Sequence, residues 1–280
     1  MKSHYLCPKC HSPMSVHQES QGLYCANKHH LDKSPNGYWV FSQAKKPQLD
    51  SRQLMRAKRF LLESGIFAPL TQALSNTVTP LLIELSESAA ASIKHLDFDC
   101  GDGFFLRALA PTLKQASEDS TQTGVAEAEN ALFSAAKVYP DATYILSQLK
   151  QLPFADESFD LVTLIDKPLK GKELLRVLKP GGLLVQVSAA PRHQWQIKTF
   201  VYGEMSEKEG DLSLPKQQKL LSRQRISFEL DVTSEQALTL AEMSPFAWRV
   251  TDKVRRQMLT GDFHRLECDF YLTVSVKQAI

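Results

Sequence analysis

The sequence predicts an α/β protein in which a small module rich in cysteine and histidine precedes a larger, doubly wound domain. Three of the five cysteines lie in the first 25 residues, where apolar periodicity is weak. From about residue 93 onward, short apolar segments alternate with amphipathic helical segments, which is the pattern of parallel strands joined by helices. We therefore predict a metal-binding module at 1–40, a basic linker with helices at 41–92, and the α/β domain at 93–280.

Length and composition are those of an ordinary globular chain. The 280 residues suffice for a medium-sized domain and a small one, and 43% of them are hydrophobic and 23% charged. No apolar run approaches the roughly 18 residues of a membrane span. The N-terminus also lacks the apolar stretch of a secretory signal. We expect a cytoplasmic protein with no membrane partner and, given the odd number of cysteines, no disulfide framework.

The N-terminal module contains a C-x-x-C pair followed by C-x-x-x-H. A thiolate pair on a tight turn and a second pair further along can surround one tetrahedral ion, which is how structural zinc sites are built. A module this small also needs the folding energy that a metal supplies. His30 is the rival for the fourth position, and His11 is a weaker one. We expect a closed, zinc-ribbon-like structural Zn²⁺ site with the ligands Cys7, Cys10, Cys25 and His29.

The remaining segments are assigned from their periodicity. Strands are predicted at 95–98, 143–146, 159–165, 183–188 and 263–276. Helices are predicted at 51–74, 78–92, 171–178, 193–205 and 234–242. Residues 206–233 interrupt the alternation, which predicts an inserted arm.

A glycine loop, H-L-D-F-D-C-G-D-G, lies at the junction of the first predicted strand and the helix after it. In open α/β sheets this edge binds ligands. Gly101 and Gly103 would let the backbone approach a ligand closely. Taken alone, a G-x-G pattern is equally consistent with a tight turn.

Two later segments make the pattern more specific. L-P-F-A-D-E-S-F-D-L-V occupies 152–162, and R-V-L-K-P-G-G occupies 176–182. In this order the three segments resemble the class I S-adenosylmethionine-dependent methyltransferases, which have a Rossmann-like fold. The resemblance implies that the glycine loop wraps the methionine end of the cofactor, that an acidic residue after the second strand holds the ribose, and that a polar residue before L-P-F reaches the adenine. It assigns the cofactor contacts to Asp97, Asp99, Gly101, Gly103, Glu127 and Gln148.

Motifs outside these three segments make the resemblance more specific, because they point to one family within that class. With the cysteine module, the segments M-R-A-K-R at 55–59, P-R-H at 191–193 and S-P-F-A-W-R at 244–249 look like the RlmA family. Those enzymes methylate N1 of one guanine in a hairpin of bacterial 23S ribosomal RNA, and they are typically dimers. The resemblance implies an RNA partner, a zinc module that helps to recognise it, and a homodimer. The basic residues expected to hold RNA phosphates are Lys45, Lys46, Arg52, Arg56, Lys58, Arg59 and Arg192.

The chain departs from the family at three places. Asp99 stands where the family loop has its first glycine, and its carboxylate would repel the methionine carboxylate unless it is protonated or paired. Ala126 takes the place of the acidic residue, so Glu127 can serve only if the strand has already ended. After the fourth strand the chain has I-D-K-P instead of roughly I-Y-A-P, so an aromatic ring that could stack on a flipped guanine is missing.

We expect a methyltransferase acting on guanine N1, with Asp166 as the base that accepts the proton. The alternative for Asp166 is a solvated loop carboxylate paired with Lys167. The alternative for the chain is an RNA-binding relative that has lost cofactor binding, which the changes at Asp99 and Ala126 would explain. A small-molecule methyltransferase is a third hypothesis, which the zinc module and the basic linker disfavour.

Overall fold

The computed structural model describes residues 2–17, 19–42, 51–89, 92–167, 169, 171–207 and 214–279. Within them the chain forms two sheets. The smaller is antiparallel, in the order β1 (Lys2–Leu6), β2 (Pro13–Val16), β3 (Leu23–Cys25) and β4 (His30–Leu31). It confirms the small N-terminal module.

The larger sheet has eight strands among the described residues. In chain order they are β5 (Tyr38–Val40), β6 (Lys94–Phe98), β7 (Thr121–Ala126), β8 (Thr143–Leu146), β9 (Phe159–Ile165), β10 (Leu178–Ala189), β11 (Gln218–Leu230) and β12 (Leu266–Lys277). In space the order is β11-β12-β10-β9-β6-β7-β8-β5, and β12 runs antiparallel to both of its neighbours. The predicted doubly wound α/β fold is confirmed.

Helices cover both faces of this sheet. They are α1 (Arg52–Glu63), α2 (Ala68–Ala89), α3 (Phe104–Ala116), α4 (Glu129–Val138), α5 (Glu173–Val177), α6 (Trp195–Tyr202), α7 (Ser234–Met243) and α8 (Asp252–Leu259), with a 3₁₀ turn at Ala247–Arg249. The helix α1 begins where predicted, because the Ser51 hydroxyl accepts a hydrogen bond from the backbone N–H of Leu54 at 3.1 Å.

The strand order reverses at β6, which has β7 on one side and β9 on the other. In doubly wound sheets a crevice opens at this point, beyond the carboxyl ends of the strands. The loops after β6 and β9 therefore face the same space. The glycine loop is the first of these and the segment with Asp166 is the second.

The N-terminal module shares a hydrophobic core with the larger sheet. Met14 and Leu23 of the module are buried in one cluster with Leu96, Phe154 and Phe159. Two backbone hydrogen bonds complete the junction, from Leu6 N–H to Pro153 O at 2.9 Å and from Ala155 N–H to His4 O at 2.8 Å. The module is thus packed against the domain instead of being tethered to it.

Three predictions about the elements were wrong in detail. Residues 218–230 are the edge strand β11, not part of an inserted arm. The helical segments between 51 and 92 are divided at 64–67, and the one predicted at 171–178 spans only α5. The strand β5, which ends the segment assigned to the module, pairs with β8 in the larger sheet.

No single helix among the described residues is both long enough and apolar enough to cross a membrane. One bent pair, Gln53–Glu63 with Ala68–Glu87, meets the length and composition limits together, with a bend of 67° between its helices.

Candidate active site and metal centre

Four side chains of the module converge as the spacing predicts. The ligand atoms of Cys7, Cys10, Cys25 and His29 all lie within 4.8 Å of one another. The Nδ1 atom of His29 lies 3.4, 3.3 and 3.6 Å from the Sγ atoms of Cys7, Cys10 and Cys25. The Sγ atoms of Cys10 and Cys25 are 3.6 Å apart.

These separations suit a tetrahedral ion. Bonds of about 2.3 Å to sulfur and about 2.0–2.1 Å to nitrogen place the corners of a tetrahedron roughly 3.5–3.8 Å apart. The rivals of His29 lie outside the cluster. His30 pairs instead with Asp32, at 3.3 Å from Nε2 to Oδ1. His11 is likewise absent from this group of ligand atoms in the described part of the chain.

The glycine loop turns sharply at the end of β6. Asp99, Gly101 and Gly103 all have left-handed backbones, with φ values of 60°, 56° and 75°. Gly103 also precedes α3, and a Cβ atom there would lie 3.2 Å from the hydroxyl of Tyr144. Close packing behind the loop therefore adds to the conformational demand for glycine at this position.

Beyond this loop lies a cavity of about 190 Å³ at the point where the strand order reverses. Five of the predicted site residues line it: Asp97, Asp99, Gly101, Asp166 and Lys58. Met55 and Leu62 of α1 and Met243 of α7 form apolar walls. The polar lining also includes residues to which the sequence assigned no role, namely Cys100, Asp102, Lys167, His193 and Gln194.

Backbone strain is concentrated around this cavity. Asp99, Asp166 and Gln194 all line it, and their φ values are 60°, 51° and 53°. Side chains other than glycine adopt this region at a cost of order 1–3 kcal/mol, and such residues cluster at ligand sites. The three loops hold their polar side chains at the cavity against a local conformational preference.

Asp97 is oriented by a buried chain of hydrogen bonds through three strands. The Gln122 amide donates to Nδ1 of His95 at 3.2 Å, and Nε2 of His95 donates to the Thr163 hydroxyl at 2.9 Å. That hydroxyl donates to Oδ1 of Asp97 at 2.8 Å. Burial raises the pKa of Asp97 to about 7, assisted by the nearby carboxylates of Asp99 and Asp102. The aspartate is held rigidly and can exchange a proton near neutrality.

The carboxylate of Asp99 is paired, which the sequence left open. Its Oδ2 atom lies 3.1 Å from Nζ of Lys167, the residue that follows Asp166 after β9. Lys167 is therefore the partner of Asp99. This arrangement differs from the alternative in which Lys167 paired with Asp166.

Asp166 lies where the sequence placed the base. Its backbone N–H donates to Val187 O at 2.8 Å, which fixes the loop against β10. Burial raises the pKa of the Asp166 carboxyl to about 6, against the opposing effect of Lys167 and Lys198. At neutral pH the group is an ionised acceptor whose proton affinity is higher than that of an ordinary aspartate.

His193 and Gln194 add two polar groups that the sequence did not identify. Nδ1 of His193 accepts the backbone N–H of Asp269 at 3.3 Å, so the ring proton resides on Nε2. Burial lowers the pKa of His193 to about 3, which keeps the ring neutral. Oε1 of Gln194 is buried and accepts no hydrogen bond within the described residues. The P-R-H motif was the available signal, although it indicates no role by itself.

The three remaining predicted cofactor residues, Gly103, Glu127 and Gln148, are not among those that line the cavity, and Gln148 lines a separate depression with Ser42. The strand β7 ends at Ala126, so Glu127 lies just after the end of the strand. This is the condition under which Glu127 could replace the acidic residue of the family. Its Oε1 atom accepts the backbone N–H of Leu149 at 3.0 Å. The backbone N–H of Gln148 donates to the Ser42 hydroxyl at 2.9 Å. The ribose and adenine contacts stay predictions.

Among the described residues, the side chains predicted to bind RNA have different surroundings. Arg56 and Arg59 line a separate depression between α1 and α4, and the Arg59 guanidinium donates to Ser134 O at 3.2 Å. Arg192 stacks on Trp195 and pairs with Glu267 at 2.7 Å. Lys45, Lys46 and the side chain of Arg52 lie outside the described residues.

Comparisons with known proteins agree with this architecture. Residues 96–186, which run from the first strand of the crevice into β10, match a family described as Methyltransferase domain. Residues 96–186 therefore form a methyltransferase-type domain, a kind of domain that uses S-adenosylmethionine.

Similarity to curated proteins is more specific. A Bacillus subtilis (strain 168) protein with the provisional name 23S rRNA (guanine-N(1)-)-methyltransferase YxjB is 28% identical over 202 residues, which are 71% of this chain and 69% of that protein. The Streptomyces fradiae 23S rRNA (guanine(748)-N(1))-methyltransferase is 28% identical over 67% of this chain and 64% of its own length. A Micromonospora griseorubida protein, also provisionally named as a 23S rRNA (guanine-N(1)-)-methyltransferase, is 26% identical over 99% and 96%. This chain is a homologue of the RlmA-type guanine-N1 methyltransferases at modest identity.

The solved structures that resemble this chain share less sequence identity with it than these curated proteins do. The plantazolicin methyltransferase BpumL bound to S-adenosylhomocysteine has a TM-score of 0.43 at 13% identity, over 81% of this chain and 95% of that one. The YcgJ protein of Bacillus subtilis has a TM-score of 0.42 at 16% identity, over 71% and 99%.

Proposed function

We propose that the protein transfers a methyl group from S-adenosylmethionine to N1 of a guanine in 23S ribosomal RNA. The observation that carries the proposal is the shared cavity, in which the acidic glycine loop and the buried carboxylate of Asp166 face one space. The nucleic acid and the methylated atom in this proposal are taken from the names of the relatives described above, which state both.

The polar groups of the cavity complement the Watson–Crick edge of guanine. That edge presents one acceptor, O6, followed by two donors, N1–H and the N2 amino group. Among the groups that line the cavity are a donor, Nε2–H of His193, and two acceptors, the Asp166 carboxylate and Oε1 of Gln194. Because an unpaired polar group in such a pocket costs binding energy, a base with a different edge would be disfavoured.

Asp166 is the group suited to remove the N1 proton. A guanine must leave its stack to enter the cavity, and transfer requires that the proton departs as the new bond forms. The raised pKa of about 6 leaves Asp166 ionised at pH 7 while strengthening it as a base. His193 would hold O6 and stabilise the negative charge that develops there.

The cofactor residues fit S-adenosylmethionine. Gly101 lines the cavity with a left-handed backbone and no side chain, and the Asp97 carboxylate is fixed beside it. Glu127 and Gln148 follow the next two strands along the same edge, where the ribose and adenine would lie. When bound, the cofactor would supply an electrophilic methyl group on its positively charged sulfur, with the neutral thioether as the leaving group, and Asp166 would accept the N1 proton.

We also propose that the Cys₃His cluster binds Zn²⁺ as a structural ion. The donor set of three thiolates and one imidazole is that of closed zinc sites, with no position left for a substrate. Its role would be to hold the module against the domain at residues 153–155.

The experiment is a methylation assay on unmodified 23S ribosomal RNA, read by reverse transcription. A methyl group on N1 blocks base pairing, so one new stop at a guanine is expected. The Asp166→Asn variant should lose the stop, while Asp119→Asn, a carboxylate in the exposed turn before β7, should retain it. Cofactor binding without any methylated guanine N1 would overturn the assignment of the substrate. If the protein binds the RNA but no cofactor, the RNA-binding alternative is the correct one.

A further inference from the structure

Two of the positions at which the chain departs from the family are in contact with each other. Asp99 follows β6 and Lys167 follows β9, and their charged atoms lie 3.1 Å apart at the cavity. The Asp99 side chain is 27% exposed and that of Lys167 is 45% exposed, so both can meet a ligand as well as each other.

The backbone at Asp99 keeps the conformation that favours glycine. Its φ of 60° is left-handed, and a glycine would adopt it without strain. The loop therefore carries a side chain at a position whose backbone also suits glycine. Aspartate is one of the few residue types that tolerate this region, because its short polar side chain can bond locally.

Lys167 brings a positive charge to a part of the cavity that is rich in carboxyl groups. Asp97, Asp99 and Asp102 bring three carboxyl groups to one side of the cavity. Among the described residues that line it, the cationic side chains are Lys58 and Lys167. Of these two, Lys167 pairs directly with Asp99.

We propose that Asp99 and Lys167 together bind the amino-acid end of the cofactor, which rests on the proposed use of S-adenosylmethionine. That end is a zwitterion with an ammonium and a carboxylate on the same carbon. The ammonium binds to Asp99 and the carboxylate to Nζ of Lys167, so that the four charges alternate in sign. Hydrogen bonds between ionised groups are the strong ones, which is why such a pair would contribute to affinity.

The pairing also explains how a carboxylate is tolerated beside the methionine carboxylate. With Lys167 present, its positive charge lies against Asp99 and attracts the ligand carboxylate. Without Lys167, Asp99 repels that carboxylate, because two like charges a few ångströms apart interact unfavourably even in a partly solvated site. The two residues are thus expected to act as a unit.

The test compares two ligands by titration calorimetry. S-Adenosylhomocysteine carries the amino-acid end, and 5′-methylthioadenosine lacks it. Lys167→Ala should lower the affinity for S-adenosylhomocysteine about tenfold or more, while the affinity for 5′-methylthioadenosine changes by no more than about twofold. Asp99→Asn should likewise weaken the binding of S-adenosylhomocysteine and leave that of 5′-methylthioadenosine unchanged, because the ammonium of the amino-acid end loses its charged partner.

A matched control is available in a lysine–aspartate pair that joins β9 to β10. Lys179 pairs with Asp160 at 2.7 Å at the opposite end of β9, and Lys179→Ala should leave both affinities unchanged. Equal weakening of both ligands by Lys167→Ala, or unchanged binding of S-adenosylhomocysteine in Asp99→Asn, would overturn the inference and leave the proposed function standing. If the unaltered protein binds neither ligand, the proposed function itself fails.

Discussion

The metal module and the cavity at the sheet edge differ in how they are built. The four atoms of the module come from residues 7–29, and two tight turns bring them together. The cavity is assembled from the loops after β6, β9 and β10 with α1 and α7 as walls, and its Asp99–Lys167 pair joins positions far apart in the chain. A closed structural centre is thus specified locally, whereas an open site depends on the whole fold.

The largest expected effect tests whether the four clustered side chains of the module bind zinc and keep the module folded. His29→Ala should abolish stoichiometric zinc and unfold the module, because a structural site of this kind contributes about 10–16 kcal/mol of binding free energy at neutral pH. Metal analysis and thermal melting measure both effects. His30→Ala is the matched control and should keep its zinc, since His30 lies outside the cluster. Equal losses in both variants would contradict the assignment of the fourth ligand.

The second effect tests the chemistry of the cavity. Asp166→Asn should lower the methylation rate by about 10²- to 10⁴-fold, because the general base is removed while the shape is kept. In the unaltered protein the rate should rise with pH through about 6 and then level, since the ionised form of Asp166 is the acceptor. The Asp166→Asn variant should lack this rise of the rate with pH. A rate that is independent of pH in both proteins would exclude Asp166 as the base.

The third effect concerns the junction between the two regions. The Phe154 ring packs 5.6 Å from His4 and 4.8 Å from Phe159, measured between centroids. Phe154→Ala should lower the free energy of unfolding by about 3 kcal/mol without releasing zinc, because the metal ligands are untouched. Denaturant unfolding measures the change. Phe133→Ala, which removes a ring that is 41% exposed, should change it by about 0.5 kcal/mol at most.

The smallest effect concerns α1, which forms one wall of the cavity. Ser51→Ala should cost about 1 kcal/mol, because the first turn loses its capping acceptor. Hydrogen exchange should increase in the first turn of α1. If the exchange is unchanged, another group satisfies that turn and the cap contributes nothing.

The same contrast explains how far each region could be predicted from the sequence. The convergence of the three cysteines and His29 follows from spacing alone, and the location of the cavity follows from the glycine loop and the alternation of strands and helices. The roles of His193 and Gln194 could not be predicted, because they depend on a tautomer fixed by Asp269 and on an unpaired amide oxygen. The partner of Asp99 was equally inaccessible, since nothing local relates it to Lys167.

The missed strand β11 has a different cause. It lies at the sheet edge, and the exposed face of its second half carries Arg223, Arg225 and Glu229. Such a strand has the composition of a loop, because little of its surface is buried. The half-buried residues Ile226, Phe228 and Leu230 recur with a period of two, and this alternation was the available signal.

The position of β5 determines the order in which the protein can be assembled. During synthesis the segment 7–29 leaves the ribosome before the strands of the larger sheet, so its four clustered side chains are together early. The strand β5 must nevertheless wait, because Tyr38 pairs with Tyr144, roughly a hundred residues later. Contacts of such long range close slowly. The newly made chain therefore carries an unpaired strand until β8 has been translated, and completion of the sheet joins its earliest segment to one made much later.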